Sequence, residues 1–236
     1  MNASMRTILD YTTKHRRVNA NKLVTECGMK AVTARQYLSE MSMSHALVRI
    51  GRGEYALPEK QLFSYTPLQE VKAMYNSLVA ELPFADFCIY DGSILSSLQH
   101  HLFINRAIYV ETNRDVVETI FHRLKERHND VFRAPNAAMM RDYVDLRKPC
   151  IIVKPLVTES PLTTIDGVKV PTLEKLLVDI LRDDDFDYLA GSEQYNIYQI
   201  AVDLYTINTP RLLRYARRRG IHSTLNHLLS QTTYND

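Results

Sequence analysis

The chain has 236 residues, 45% of them apolar and 24% charged, proportions of an ordinary globular protein with room for a small domain beside a larger one. No apolar run approaches the ~20 residues that span a bilayer, and the N-terminus lacks the apolar core of a secretion signal, which points to a cytoplasmic protein. The net charge of +2 conceals an asymmetry, since ten basic residues stand against five acidic ones through Lys60, leaving +5 there and −3 on the remainder. A compact basic segment joined to a mildly acidic body suits an anionic partner such as nucleic acid.

The first sixty residues read as three helices and a hairpin. Met5–Lys14 carries a helical stripe at Met5, Ile8, Leu9 and Tyr11. Asn19 is placed to cap a second helix bearing Leu23 and Val24. Gly28 can take the positive φ of a tight turn, and a third helix follows from Ala31 to Ser42 with Ala34, Leu38 and Met41 on one face. Leu47–Ile50 and Glu54–Leu57 flank Gly51-Arg52-Gly53 as a β-hairpin, and Pro58 ends its second strand. Ile8, Leu9, Leu23, Leu38, Leu47 and Ile50 supply the small core.

Gln61–Thr66 reads as a linker, which sets domains at 1–60 and 66–236. Beyond it helix and strand signals alternate: helix Pro67–Leu82, strand Phe84–Tyr90, a helix opened by Asp91-Gly92-Ser93, strand Ala107–Glu111, helix Arg114–Arg127 and a buried strand at Cys150–Val153. Leu162–Ile165 and Val168–Val170 form a hairpin about Asp166-Gly167, and the chain is helical from Thr172 onward. The expectation is an α+β protein whose second domain holds a mixed sheet of four to six strands and ends in helices.

A helix, tight turn, second helix and hairpin wing make a winged helix-turn-helix, whose second helix can lie in the DNA major groove. With Ala34, Leu38 and Met41 inward, Lys30, Thr33, Arg35, Gln36 and Ser39 face outward or edgeways. Arg and Gln suit bidentate base contacts, and Lys and Thr suit phosphates. Arg49 and Arg52 lie on the hairpin, with Arg52 at its tip.

Leu47-Val48-Arg49-Ile50-Gly51-Arg52-Gly53-Glu54-Tyr55-Ala56-Leu57-Pro58 resembles the wing of abortive-infection antitoxins of the AbiEi type. Gly167-Val168-Lys169-Val170-Pro171-Thr172-Leu173-Glu174-Lys175-Leu176-Leu177-Val178-Asp179 resembles a segment of the same family in which a short strand leads into a helix. The resemblance covers Met5–Pro58 and Gly167–Asp179. It implies a double-stranded DNA-binding repressor of its own operon, acting as the antitoxin of a type IV system against a nucleotidyltransferase-like toxin, usually without a stable complex. A homodimer on paired half-sites is compatible with it.

The alternative is a nucleotidyltransferase-like enzyme carrying a winged-helix targeting domain. Gly92-Ser93 opens a helix, as the triphosphate-binding pair of such enzymes does, and Glu111 lies on a strand downstream. Tyr109 stands where a second acidic ligand would be needed, and one carboxylate cannot hold two metal ions ~3.5–4 Å apart. The expectation is a degenerate nucleotidyltransferase-like fold with no catalytic residues, cofactor or metal.

Remaining candidates are weaker. Asp183-Asp184-Asp185-Phe186-Asp187 lacks the Gly and Glu of a calcium loop, with Tyr188 and Gln194 in those places, and reads as a solvated acidic turn. His100-His101, His122 and His128 have no metal-binding context. Gly51-x-Gly53 is too short for a dinucleotide fingerprint. Cys27, Cys88 and Cys150 form no CxxC pair and read as buried free thiols. Arg211, Arg214 and Arg218 share a helix face, either as a solvated surface or as a second phosphate-binding face.

Overall fold

The computed structural model describes residues 3–44, 46–58, 60–99 and 103–233, which leaves His100 and His101 outside the described residues. The chain divides into two compact units, Met1–Phe63 with Asp203–Pro210, and Ser64–Val202 with Arg211–Asp236. Together they are a mixture of helix and sheet, in keeping with an α+β protein.

In the first unit, α1 (Ala3–His15), β1 (Arg17–Asn19), α2 (Ala20–Cys27), α3 (Ala31–Met43), β2 (Val48–Gly51) and β3 (Glu54–Ala56) follow in order. The three strands form an antiparallel sheet in the order β1-β3-β2. Strand β1, only three residues long, adds Arg17–Asn19 to the expected two-stranded hairpin through pairs such as Val18 with Tyr55. Asn19 caps α2 by accepting a hydrogen bond from the Lys22 amide at 2.9 Å. Gly28 ends that helix at φ 66°, where a side chain would be strained. Ile8, Tyr11, Val18, Leu23, Ala34, Leu38, Met41 and Leu47 form the core. Ile50, expected there, is 46% exposed, and Leu9 is only half-buried. The stretch beginning at Gln61 is not a free linker. The Gln61 amide donates to the Leu204 carbonyl at 3.0 Å, the Thr206 amide donates to the Gln61 carbonyl at 2.8 Å, and Phe63 meets the edge of Tyr205.

In the second unit, α4 (Gln69–Glu81), β4 (Phe87–Asp91), β5 (Ala107–Thr112), α5 (Val117–Lys125), β6 (Val131–Arg133), α6 (Ala137–Tyr143) and β7 (Cys150–Pro155) build a four-stranded mixed sheet. Its order is β4-β5-β7-β6, with β4 antiparallel to β5 and the other pairs parallel. Every residue of β5 is buried, as expected of a central strand covered on both faces. Strand β4 starts at Phe87, three residues later than expected, leaving Phe84 fully exposed before it. The hairpin β8 (Leu162–Ile165) and β9 (Val168–Pro171) turns at Asp166 and Gly167, whose φ values of 50° and 82° are the left-handed pair that a two-residue hairpin requires. Helices α7 (Leu173–Ile180), α8 (Ser192–Leu204), α9 (Thr209–Arg218) and α10 (His222–Thr233) close the chain. No helix of the described residues is long and apolar enough to cross a membrane.

After β4 the chain turns through a single 3₁₀ segment, Gly92–Leu95, rather than the longer helix expected. Gly92 is required there for a packing reason: a Cβ would stand 2.5 Å from that of Asn105. Asn105 cannot retreat, since it donates to the hydroxyls of Tyr109 (2.9 Å) and Tyr188 (3.0 Å) and accepts from the Ala107 amide (3.0 Å). Gly92→Ala is expected to lower the unfolding free energy by about 1–3 kcal/mol, the usual cost of overpacking. Chemical denaturation measures it, and an unchanged midpoint would contradict the role assigned to Asn105.

Candidate nucleic-acid interface

Helix α3 turns Ala34, Leu38 and Met41 into the core, and the 3.6-residue period then sends the intervening positions outward. Lys30, Arg35, Gln36 and Ser39 are exposed, as the spacing implies, while Thr33 is half-buried. Val32, which the charge pattern did not single out, is also on the outer side and is 74% exposed. The turn at Gly28 positions this helix: the amides of Gly28 and Met29 both donate to the Leu23 carbonyl, which closes α2 and starts α3 three residues on.

The hairpin adds the second half of the surface. Arg49 and Arg52 are exposed, but they are used differently. Arg49 folds back on its own strand, its Nε donating to the Gly51 carbonyl at 3.2 Å beside a bulge between Arg49 and Gly51. Arg52 lies in the turn before Gly53, whose φ is 75°. Arg35 and Arg52 line one cleft of about 360 Å³ together with Asn19, Asn21, Leu38, Glu54 and Tyr55. Neither arginine has an ion-pair partner among the described residues. Two guanidinium groups on one cleft, with a single acid, make a surface suited to a polyanion. Asn21 on α2 and Tyr55 on β3 escaped the sequence reading because residues distant in sequence meet at the cleft.

The second unit places its ionisable groups inside. Helix α7 is buried along its whole length, including Glu174, Lys175 and Asp179. Lys175 Nζ lies 2.8 Å from Glu111 of β5 and 2.5 Å from Asp179 one turn along its own helix. Tyr90 donates to the same Glu111 at 3.0 Å. Lys154 on β7 meets Asp185 at 2.5 Å and Asp183 at 3.1 Å, and Arg219 pairs with Asp183. The acidic run at 183–187 is therefore not a solvated turn: two of its carboxylates hold a buried lysine, and Asp184 caps α6 by accepting from the Ala137 amide at 2.9 Å. Ser93, by contrast, is exposed on the turn after β4. Tyr109 is fully buried and stacks between Tyr90 and Phe186.

The three C-terminal arginines differ in their surroundings. Arg211 is half-buried with its guanidinium 3.9 Å from the buried Glu174, and Arg218 donates to the Thr158 hydroxyl. Arg214 alone of the three stays exposed without such a contact. Cys88 and Cys150 are buried and Cys27 half-buried, all as free thiols, and His122 pairs with Glu118 at 2.9 Å. No group of metal-ligating side chains occurs among the described residues.

Burial would depress Lys154, but Asp185, Asp183 and Glu111 outweigh it and hold the ammonium well above its ordinary value of 10.5. Burial likewise pushes Asp183 up, yet Lys154 and Arg219 prevail and leave it below 3.8. For Asp185 and Asp179 burial wins, and both are raised. A raised lysine contributes stability that is complete below the unfolded value and is lost as pH climbs beyond it. Lys154→Met, which leaves the buried Asp185 without its cation while Asp183 keeps Arg219, is expected to cost about 3–5 kcal/mol at neutral pH. It should also flatten the loss of stability above pH 10.5 that the raised Lys154 implies for the wild type. Denaturation at neutral and alkaline pH measures both effects, and a variant as stable as the wild type would contradict the pairing.

A comparison with curated proteins gives no match. A family model described as a family of unknown function, DUF6577, matches residues 33–235, a span that starts inside α3 and takes in the hairpin and all but the last residue of the second unit, so the chain belongs to that family.

Proposed function

We propose that the N-terminal unit is a winged helix-turn-helix that binds double-stranded DNA, with α3 as its recognition helix and the β2–β3 hairpin as its wing. The observation that carries this reading is the shared cleft of Arg35 and Arg52, one from each of those elements. Three further features support it: an α2–α3 turn held by a left-handed glycine, a three-stranded sheet in the order β1-β3-β2, and an exposed row of Lys30, Arg35, Gln36 and Ser39. In this reading Arg35 and Gln36 contact base edges, while Lys30, Ser39 and Arg52 hold phosphates. Thr33 is half-buried and Arg49 is bonded to its own hairpin, which leaves the other five as the exposed contacts. Arg214 is the C-terminal arginine best placed for a further phosphate.

The protein then acts as a transcriptional repressor of its own operon and as the antitoxin to a nucleotidyltransferase-like toxin. That second role rests on the likeness of 47–58 and 167–179 to abortive-infection antitoxins. The occupied carboxylate of Glu111, the packing role of Gly92 and the stacked Tyr109 favour a regulator over an active nucleotidyltransferase.

Arg35→Ala and Gln36→Ala are expected to weaken binding to the operon's promoter by about 1–3 kcal/mol each, and binding to random duplex much less. Arg52→Ala should weaken both and reduce the slope of affinity against salt. Fluorescence anisotropy titrations at several salt concentrations separate the two classes. Equal losses on promoter and random DNA for all three variants would contradict the assignment of α3 to base reading.

A further inference from the structure

On the outer side of α3, Val32, the pair Arg35 and Gln36, Ser39 and Met43 recur about once per turn and are all exposed. Val32 differs from its neighbours. It is apolar and β-branched, and at 74% exposure it is the most open large apolar side chain of the N-terminal unit among the described residues. A valine there does not serve the helix, because alanine is the better helix former and an exposed valine buries nothing in the fold. It is flanked by Lys30 and, one turn on, by Arg35, so it sits in basic rather than apolar surroundings. That charge suits a polyanion and not the apolar-centred contact of a protein partner.

We propose that Val32 is a specificity-determining residue that reads the C5-methyl group of a thymine. The inference rests on α3 being the recognition helix proposed above. Of the groups that base pairs present in the major groove, the thymine methyl is the apolar one, and an aliphatic side chain is its natural contact. Gln36 follows Val32 by one turn and can pair with adenine N6 and N7, while Arg35 can pair with guanine O6 and N7. Four residues of helix rise about 6 Å, and successive base pairs are about 3.4 Å apart. The thymine read by Val32 therefore lies within about two steps of the base read by Gln36. The site so specified is a thymine beside a purine contacted by Arg35 or Gln36, in each half-site the protein engages.

The test uses the full chain and a duplex enriched by it from a random-sequence pool. Each thymine is replaced in turn by deoxyuridine, which removes the methyl group alone, and affinities are read by anisotropy. For the wild type, one thymine per half-site should cost about 3- to 5-fold when its methyl is removed, the effect of one buried methyl group. Val32→Ala should bind the thymine duplex about 3- to 5-fold more weakly than the wild type and show no further loss with deoxyuridine. The position is exposed and alanine favours helix, so folding is not at stake. If no deoxyuridine matters, or if Val32→Ala remains as sensitive to it as the wild type, Val32 does not read a methyl. Recovery of no preferred sequence from the pool would instead sink the recognition-helix reading itself, and this inference with it.

Discussion

Lys175 is enclosed between two carboxylates, and the second unit depends on that arrangement. A helix can be buried on all sides only if its polar side chains find partners there, because an unpaired charge in the interior is far more costly than any packing gain. Helix α7 meets this condition along both directions. Lys175 reaches Glu111 on β5 and Asp179 on its own next turn. Asp179 in turn accepts from the Tyr215 hydroxyl of α9 at 3.0 Å, and Tyr198 of α8 donates to the Leu177 carbonyl. One buried helix thereby ties the sheet to two of the helices that follow it. Lys154 repeats the device at the edge of the same cluster with Asp183 and Asp185.

The same pairing bears on chemistry. Glu111 is the acidic residue of the strand that the sequence offers as a metal ligand, and Lys175 and Tyr90 occupy its oxygens. Gly92, which opened the comparison with triphosphate-binding turns, is explained by its closeness to Asn105. Glu111 and Gly92 thus have structural uses. Arg35 and Arg52 of the N-terminal unit are exposed, have no ion-pair partner among the described residues and line one cleft, and the proposed DNA contacts draw on them.

Much of that N-terminal surface was legible in the sequence, because it depends on local rules. The inward triplet at 34, 38 and 41 follows from helical period alone and Gly28 from the need for a left-handed residue; in the second unit the Asp-Gly pair at 166–167 marks its hairpin turn in the same local way. What was missed is non-local or too short to carry a pattern. Three-residue strands at 17–19 and 131–133 have no alternation to recognise and exist because a neighbouring strand pairs with them. Gln61 looks like linker until Leu204 and Thr206 supply its hydrogen bonds from across the chain. The run at 183–187 reads as solvated because nothing in its own residues announces Lys154, some thirty positions earlier. Val32 was overlooked for the opposite reason: attention to charge passes over an exposed aliphatic side chain.

The most direct test of the central claim is hydrogen exchange of the full chain with and without its promoter duplex. The account predicts that added protection is concentrated in the first turns of α3 and in the β2–β3 hairpin around Arg52, while the buried sheet β4-β5-β7-β6 is unchanged. Protection confined to the second unit, with α3 and the hairpin exchanging as before, would contradict it.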